Sequence, residues 1–489
     1  MLFRSQSSFR VSPLPSIEAR APAVLVGALA SLSASGGAAA AAPGAPALDG
    51  ATLGLAWCLP FAGLLLSIAI LPVAAPKFWH HHYGKIAASW GGALLAPMAL
   101  AHGVDVAAYE ALHTALTEYI PFVALLFALY TVSSGIEING PFDGRPGSNT
   151  ALLALGTVVA SWVGTTGASI AVAQPLIRAN QGRKRNAHVF VFFIFLVGNI
   201  GGALTPLGDP PLFLGYLEGI DFFWFTARLA APMLAMALPL LGAFYLVDSY
   251  LWRREGQPVA GVTEGFSIAG KRNVLFMAAI VGVVLGASAM TSHIRLTLYY
   301  VEMPAEGVVR TVALLAIAVA SLMATPRETR ARNAFTWEPM IEVAKLFAAI
   351  FITMVPALAI IGAGERGAAA PLLASLNRGG VPDPGTYFWL TGLFSSILDN
   401  APTYLIFFRL AGGDPDQLMG PLSTTLTAIS AAAVFMGANT YVGNAPNFLV
   451  RAICVERGIR MPSFFGYMAW SALCLGPLYV AVSFLFFTG

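Results

Sequence analysis

Asp209 lies in Thr205-Pro206-Leu207-Gly208-Asp209-Pro210-Pro211, within a long apolar stretch at 189–217. A charge at membrane depth costs at least ~3 kcal/mol, so an acid there is first of all a functional candidate. Pro206, Gly208, Pro210 and Pro211 break the helix and free backbone carbonyls. Such irregular backbone is tolerated at that depth only where it is buried or lines a cavity. A broken helix with an acid at the break is one way to build a cation site. A second acid, Asp399, lies in Ser395-Ser396-Ile397-Leu398-Asp399-Asn400-Ala401-Pro402. Around the two acids fall Thr165, Thr166, Ser169, Asn199, Thr205, Asn400, Thr403, Asn439, Thr440, Asn444 and Asn447. Carboxylates, hydroxyls, amides and freed carbonyls suit a hard cation such as Na⁺, held at Asp209 and Asp399. The group contains no His or Cys, which argues against zinc or copper. A buried acid can carry a proton or a metal cation, and that competition is the basis of exchange. Hairpin tips and half-helix N-termini offer N–H groups that can instead take a substrate carboxylate.

Bland readings exist for several of these positions. Asp399-Asn400 could be a helix N-cap. The Asn and Thr residues could hydrogen-bond neighbouring helices. Gly198, Gly201 and Gly202 read as close-packing positions. His80-His81-His82 sits beside Trp79, Tyr83 and Lys85 and reads as an interfacial anchor. Glu137 reads as a side chain that snorkels to water. Cys58, Cys454 and Cys474 have no metal spacing and no disulfide pattern.

The segment around Asp209 has a counterpart. Residues 437–449, Gly-Ala-Asn-Thr-Tyr-Val-Gly-Asn-Ala-Pro-Asn-Phe-Leu, match seven of the thirteen residues of 202–214, Gly-Ala-Leu-Thr-Pro-Leu-Gly-Asp-Pro-Pro-Leu-Phe-Leu. At the same offset, 161–167 aligns with 396–402. Asp209 thus corresponds to Asn444, and Asp399 to Gly164. Gly443 and Pro446 supply the second set of breaks. Corresponding breaks in two halves are the strongest sequence pointer to a transport site.

Composition sets the class. The chain is 57% hydrophobic and 10% charged with a mean hydropathy of +0.73, far from the roughly 25% charged of a soluble domain. It reads as an all-α polytopic membrane protein whose main partner is the lipid bilayer. Ten-residue alternating segments, the mark of a membrane β-barrel, do not occur. No basic patch interleaved with aromatics suggests nucleic acid. Residues 1–42 resemble a signal peptide: Arg4, Arg10 and Arg20 precede an apolar run and a small-residue tract at 38–42.

Spans are expected at about 51–74, 85–103, 119–138, 187–218 and 222–250, with an interrupted segment at 150–178. After a linker at 251–272 the order repeats: 273–292, 306–325, 337–362, an interrupted 386–411, then 421–451 and 464–488. Loops rich in Lys and Arg, at 77–85, 178–185, 253–272, 327–332 and 451–460, fall on one side only if the interrupted segments are re-entrant hairpins. Each half, 51–250 and 273–488, then has five spans and one hairpin, and the second half is inverted. The loop at 178–185 carries four cations and its counterpart at 412–417 none, which is the main support for inversion. The basic loops are then cytoplasmic and the C-terminus periplasmic.

Asn199-Ile200-Gly201-Gly202 with Thr205 to Pro211, and Ser395 to Pro402, resemble the two signatures of the ion transporter superfamily. The likeness is to NhaD-type sodium/proton antiporters and to related arsenite permeases and CitMHS-like citrate transporters. It runs from about residue 120 to the C-terminus. The resemblance implies two inverted repeats, each with a re-entrant hairpin and a broken helix, and frequent dimerisation. Carboxylate transporters of this superfamily carry Ser-Asn-Thr at both sites. This chain has Thr165-Thr166-Gly167 and Asp399-Asn400-Ala401 instead, a departure that favours cations. The leading expectation is therefore Na⁺(Li⁺)/H⁺ antiport in a bacterial inner membrane, with no enzymatic role and no cofactor beyond the transported or coupling ion. The alternative is Na⁺- or H⁺-coupled transport of citrate or a dicarboxylate. An intramembrane aspartyl protease is disfavoured: its Gly-x-Gly-Asp pattern is missing, since Leu207 precedes Gly208.

Overall fold

The computed structural model describes residues 33–36, 44–257, 265–290, 294–333, 335–378 and 380–488. The expected signal peptide lies outside the described residues except for Ser33–Gly36, a strand antiparallel to Ile294–Leu298. The first half contains α1 (Leu59–Ala74), α2 (Pro76–His102), α3 (Val104–Thr114), α4 (Ile120–Ser133), α5 (Pro146–Val163), α6 (Thr165–Ala179), α7 (Ala187–Leu196), α8 (Pro210–Leu217) and α9 (Phe222–Arg254). The second contains α10 (Lys271–Ala289), α11 (Ala305–Ala324), α12 (Arg327–Arg332), α13 (Glu338–Gly362), α14 (Ala370–Leu376), α15 (Pro384–Ile397), α16 (Asn400–Leu410), α17 (Pro415–Met419), α18 (Ser423–Met436), α19 (Ala445–Glu456), α20 (Phe464–Cys474) and α21 (Gly476–Phe486).

The protein is all-α, and among the described residues its only strands form one three-stranded sheet and two strand pairs, all short and antiparallel. Among the described residues seven helices are long and apolar enough to cross a membrane, or eight if α20 and α21, bent by 41°, form one span. The stretch Ala187–Leu204 is the centre of the bundle: 89% of its apolar window is buried, against 17% for Leu55–Ala74, which lies on the outside of the bundle. An all-round apolar helix such as α7, Ala-His-Val-Phe-Val-Phe-Phe-Ile-Phe-Leu, has no polar face to give to water and packs in the interior.

Several boundaries differ from the sequence reading. Residues 104–118, expected as a loop, are helical and run through a π-helical turn, Ala115–Tyr119, into α4. The charges that suggested a loop have partners outside the helix. The Leu48 amide donates to Glu110 at 2.8 Å, and the Tyr299 hydroxyl donates to Asp105 at 3.1 Å. The basic stretch 77–85 is likewise part of a helix, α2. There His81 and His82 bond to the Lys77 and Phe78 carbonyls one turn back, and His80 lies 3.3 Å from Glu338. The linker at 251–272 is partly structured, because α9 reaches Arg254 and Ser267–Ala269 pairs with Glu137–Asn139. The last span is not straight: it bends at Leu475, ahead of Pro477 in the first turn of α21. Glu137 does not snorkel. It is buried and bonded to Arg332 Nε at 2.8 Å, because the second half folds a cation over it.

That same contact region holds the halves together. Arg330 donates to the Thr131 carbonyl at 2.7 Å and to Ser134 Oγ at 2.5 Å, so the C-terminal end of α4 is capped by α12. Buried Asn333 adds bonds to the Ser134 and Ile136 carbonyls, each at 2.8 Å. Orphan carbonyls at a helix end need such partners.

Candidate functional site

Two helix interruptions in each half converge at the centre. In the first half α5 stops at Gly164, whose φ of 82° no ordinary side chain adopts easily, and α6 starts at once. In the second half α15 stops at Leu398 and α16 starts after Asp399. The broken span follows in each case. After α7 comes a 3-10 turn, Ile200–Leu204, then a tight turn from Thr205 to Asp209, closed by the Gly208 amide on the Thr205 carbonyl at 2.9 Å, then α8. After α18 comes a 3-10 turn, Gly437–Asn439, then a bent segment to Asn444, then α19. Pro210, Pro211 and Pro446 occupy the first turns of α8 and α19, where a missing N–H costs nothing.

The two broken spans share one backbone pattern. Thr205 (φ −140°, ψ 161°) matches Thr440 (φ −135°, ψ 167°), and Asp209 (−142°, 143°) matches Asn444 (−154°, 140°). The Thr205 hydroxyl donates to the Ser161 carbonyl, as that of Thr440 does to Ser396 at 2.8 Å. Both hydroxyls then accept from the amide two residues on, at 3.2 Å in each case. Gly208 crosses the Gly202 carbonyl so closely that a Cβ would collide with it. At Gly443 a Cβ would lie 2.6 Å from the Gly437 carbonyl. Thr205 and Thr440 therefore pin the chain against the preceding helix pair.

Asp209 is where the halves meet. It is 1% exposed and accepts from three neutral donors. These are Thr165 Oγ1 at 2.9 Å, Asn444 Nδ2 at 3.0 Å, and Asn400 Nδ2 at 2.6 Å. Thr165 comes from the first half, and Asn400 and Asn444 from the second. Behind them lies an amide chain. Asn444 donates to Asn199 Oδ1 at 3.1 Å, and Asn199 donates to Asn447 Oδ1 at 2.7 Å. Asn447 in turn donates to the Gly437 and Thr440 carbonyls at 2.8 Å. The far side of Asn400 is unfinished: its Oδ1 is buried without a hydrogen-bond partner.

One pocket adjoins this cluster, lined by Thr165, Thr166, Gly167, Asp209, Asp399 and Asn444. Its opposite wall is apolar and comes from α4 and α13, with Phe122, Leu129, Met340 and Phe347. Among the described residues no Lys, Arg or His lines it. Asp399 is half-buried at the wall and caps its own helix, accepting from the Ala401 amide at 3.0 Å. Its counterpart Gly164 has no side chain, so the first turn of α6 has no side-chain cap. Thr166 and Gly167 of that turn face the pocket.

The remaining candidates lie elsewhere. Ser169 is buried with no partner of its hydroxyl. Asn439 points away from the acids, donating to Ser396 Oγ at 2.8 Å and accepting from Tyr479 at 3.1 Å. Thr403 bonds back to the Asp399 carbonyl at 2.9 Å. Two features escaped the sequence reading. The pocket wall of α4 and α13 has only apolar residues and gives no chemical signal. Ser161 and Ser396 hold the breaks, and their identity at the 235-residue offset was the available clue.

The family described as "Putative citrate transport" matches residues 50–487. The chain belongs to that family. No curated protein matches it. Membership makes this family member a multi-pass secondary transporter, and both broken spans and the pocket fall inside the matched region. The match also reorders the two transport readings, placing the carboxylate branch ahead of the cation antiporter.

Proposed function

We propose that this protein couples Na⁺ or H⁺ to the transport of citrate or a related carboxylate. One observation carries the reading. A single pocket is lined both by the first turn of α6, which has no side-chain cap, and by two carboxylates, Asp209 and Asp399, and the orphaned acceptor belongs to Asn400, next in sequence to Asp399. The N-terminus of α6 suits a substrate carboxylate through the dipole and the amides of Thr166 and Gly167, the Thr165 amide being already bonded to the Gly208 carbonyl at 2.8 Å. Asp209, Asp399 and Asn400 Oδ1 suit the coupling cation. A buried carboxylate with only neutral donors must be neutralised by a proton or a cation. A bound cation beside the α6 N-terminus would also offset the charge of the incoming anion, so the two ligands favour each other's binding.

Within this proposal the halves 51–250 and 273–488 are inverted repeats joined by a cytoplasmic linker at 251–272. The pairs α5–α6 and α15–α16 are re-entrant hairpins entering from opposite faces of an inner membrane. The shared backbone pattern at the two breaks supports the repeat. The charge difference between the loops at 178–185 and 412–417 supports its inversion.

A second reading, Na⁺(Li⁺)/H⁺ antiport, is favoured by one observation: two acids and no basic side chain line the pocket. Radiolabelled citrate uptake into membrane vesicles, driven by imposed Na⁺ or H⁺ gradients, tests the first reading. Uptake that needs one gradient and is lost in Asp209→Asn supports it. No uptake, with Na⁺-triggered proton release in everted vesicles, would replace it with antiport.

A further inference from the structure

Arg310 is a buried cation with no anion. It lies early in α11, is 9% exposed, and makes no ion pair among the described residues. Its Nε is buried without a hydrogen-bond partner. The other buried arginines also leave an Nε unpartnered, but each has polar partners on at least one other nitrogen: Arg183 lies 2.5 Å from Asp248, and Arg330 donates to Thr131, Ser134 and Ser321. Glu306, one turn before Arg310, forms no ion pair with it, and Glu306 Oε2 is buried and unpartnered.

What Arg310 does touch is aromatic. Its guanidinium carbon lies 5.1 Å from the ring centre of Tyr216 and 5.8 Å from that of Phe213. Both rings belong to α8, the half-helix that starts at Asp209. Tyr216 is fixed in turn by α10, since Ser288 Oγ donates to its hydroxyl at 2.9 Å. Phe213 also lines the central pocket. A guanidinium is thus held over two rings, of which Phe213 lines the pocket one turn along the helix from Asp209 and Tyr216 lies a turn further on. Ring faces offset only part of the cost of a desolvated cation. A planar five-donor fork is the side chain best matched to a carboxylate.

We propose that Arg310 recognises a carboxylate group of the anionic substrate, binding it through the guanidinium fork while Phe213 and Tyr216 hold the plane. The assignment rests on the carboxylate reading of the central pocket. It gives the site the positive side chain that the pocket wall lacks. A substrate with two or three carboxylates would engage both Arg310 and the α6 N-terminus, whereas a monocarboxylate would engage only one of them.

The test uses the full-length protein in proteoliposomes, with citrate uptake measured for wild type, Arg310→Met and Arg310→Lys. Met keeps the stem and loses the charge, while Lys keeps the charge and loses the fork. The expected result is a citrate KM raised about tenfold or more in Arg310→Met, a smaller rise in Arg310→Lys, and kcat within about threefold of wild type in both. The Na⁺ or H⁺ activation constant at saturating citrate should not move. Unchanged KM, or equal kcat losses in both variants, would make Arg310 a clamp between α8 and α11 and overturn the proposal. In the wild-type protein, citrate should slow phenylglyoxal modification of Arg310, followed by mass spectrometry, and leave exposed Arg254 unprotected. Absence of that protection would also overturn it. Wild type that takes up no carboxylate would fail the transport reading itself, and this proposal with it, before any variant is compared.

Discussion

Asn444 donates to Asp209 across 235 residues of sequence, at 3.0 Å, and the two occupy the same position in two repeats of one backbone pattern. The pair is symmetric in geometry and asymmetric in charge. An acid facing an acid there would bring two negative charges within hydrogen-bond distance, so one amide lets a single charge be shared between halves. The expectation is that the presence of one acid matters more than which half supplies it.

A charge swap tests that. Asp209→Asn should lower coupled transport ~100-fold, the scale of losing a buried charged hydrogen bond worth about 3 kcal/mol. Asn444→Asp alone should also impair transport, through like-charge repulsion. The double variant Asp209→Asn/Asn444→Asp should recover part of the activity in vesicle uptake assays. Recovery no better than either single variant would show that the two positions are not interchangeable.

Substitutions can separate the capping role of Asp399 from its proposed cation role. Its carboxylate caps α16 through the Ala401 amide. Asn is as good an N-cap as Asp, whereas Ala costs about 1 kcal/mol. Asp399→Asn should therefore keep the melting temperature in detergent and lose cation dependence, while Asp399→Ala should lose both. Equal destabilisation by Asn and Ala would mean that charge, not capping, holds the α15–α16 junction.

The close crossing at the first break predicts a steric effect. A Cβ at Gly208 would collide with the Gly202 carbonyl, which belongs to the backbone and cannot swing away. Gly208→Ala should cost roughly 3 kcal/mol, at the upper end of overpacking effects. Gly92→Ala is the control, because a Cβ there meets nothing within 4 Å. Thermal melts of the two purified variants compare them directly. A Gly208→Ala melt within error of wild type would show that the break relaxes.

Away from the pocket, Asp248 of α9 joins Arg183 at 2.5 Å, His188 at 2.8 Å and Asn149 at 3.0 Å, all buried. The cluster ties the α5–α6 pair to α7 and α9. Removing one partner of a buried pair costs about 3–5 kcal/mol because the other charge is stranded. Asp248→Leu should destabilise accordingly, and Arg183→Met/Asp248→Leu should be milder than the sum of its singles. A double-mutant cycle on melting data gives the coupling. Additive losses would remove the idea that Arg183 is held mainly by this acid.

Much of the central geometry was legible because chain breakers are local. Pro206, Gly208, Pro210 and Pro211 crowd into six residues and interrupt the helix, unlike the isolated prolines inside α9 and α13, and the 235-residue spacing then puts the breaks in register. The N-cap at Asp399 is legible for the same reason. The helical path of 104–118 was not, because whether Asp105 and Glu110 suit a helix end depends on Tyr299 and Leu48 arriving from elsewhere. Glu137 was misread for a similar reason, as Arg332 reaches it across 195 residues.

By itself the sequence determined the membrane class, the helix breaks and the chemical types available at them, since hydropathy and backbone restriction belong to each short segment. Only the tertiary structure decided that Thr165, Asn400 and Asn444 close on one carboxylate, that Asn439 turns away, and that Arg310 is left without a counterion. Those outcomes depend on which helix faces pack together, and hydrogen bonds and charge pairing act over ~3–4 Å, a distance that sequence spacing does not encode.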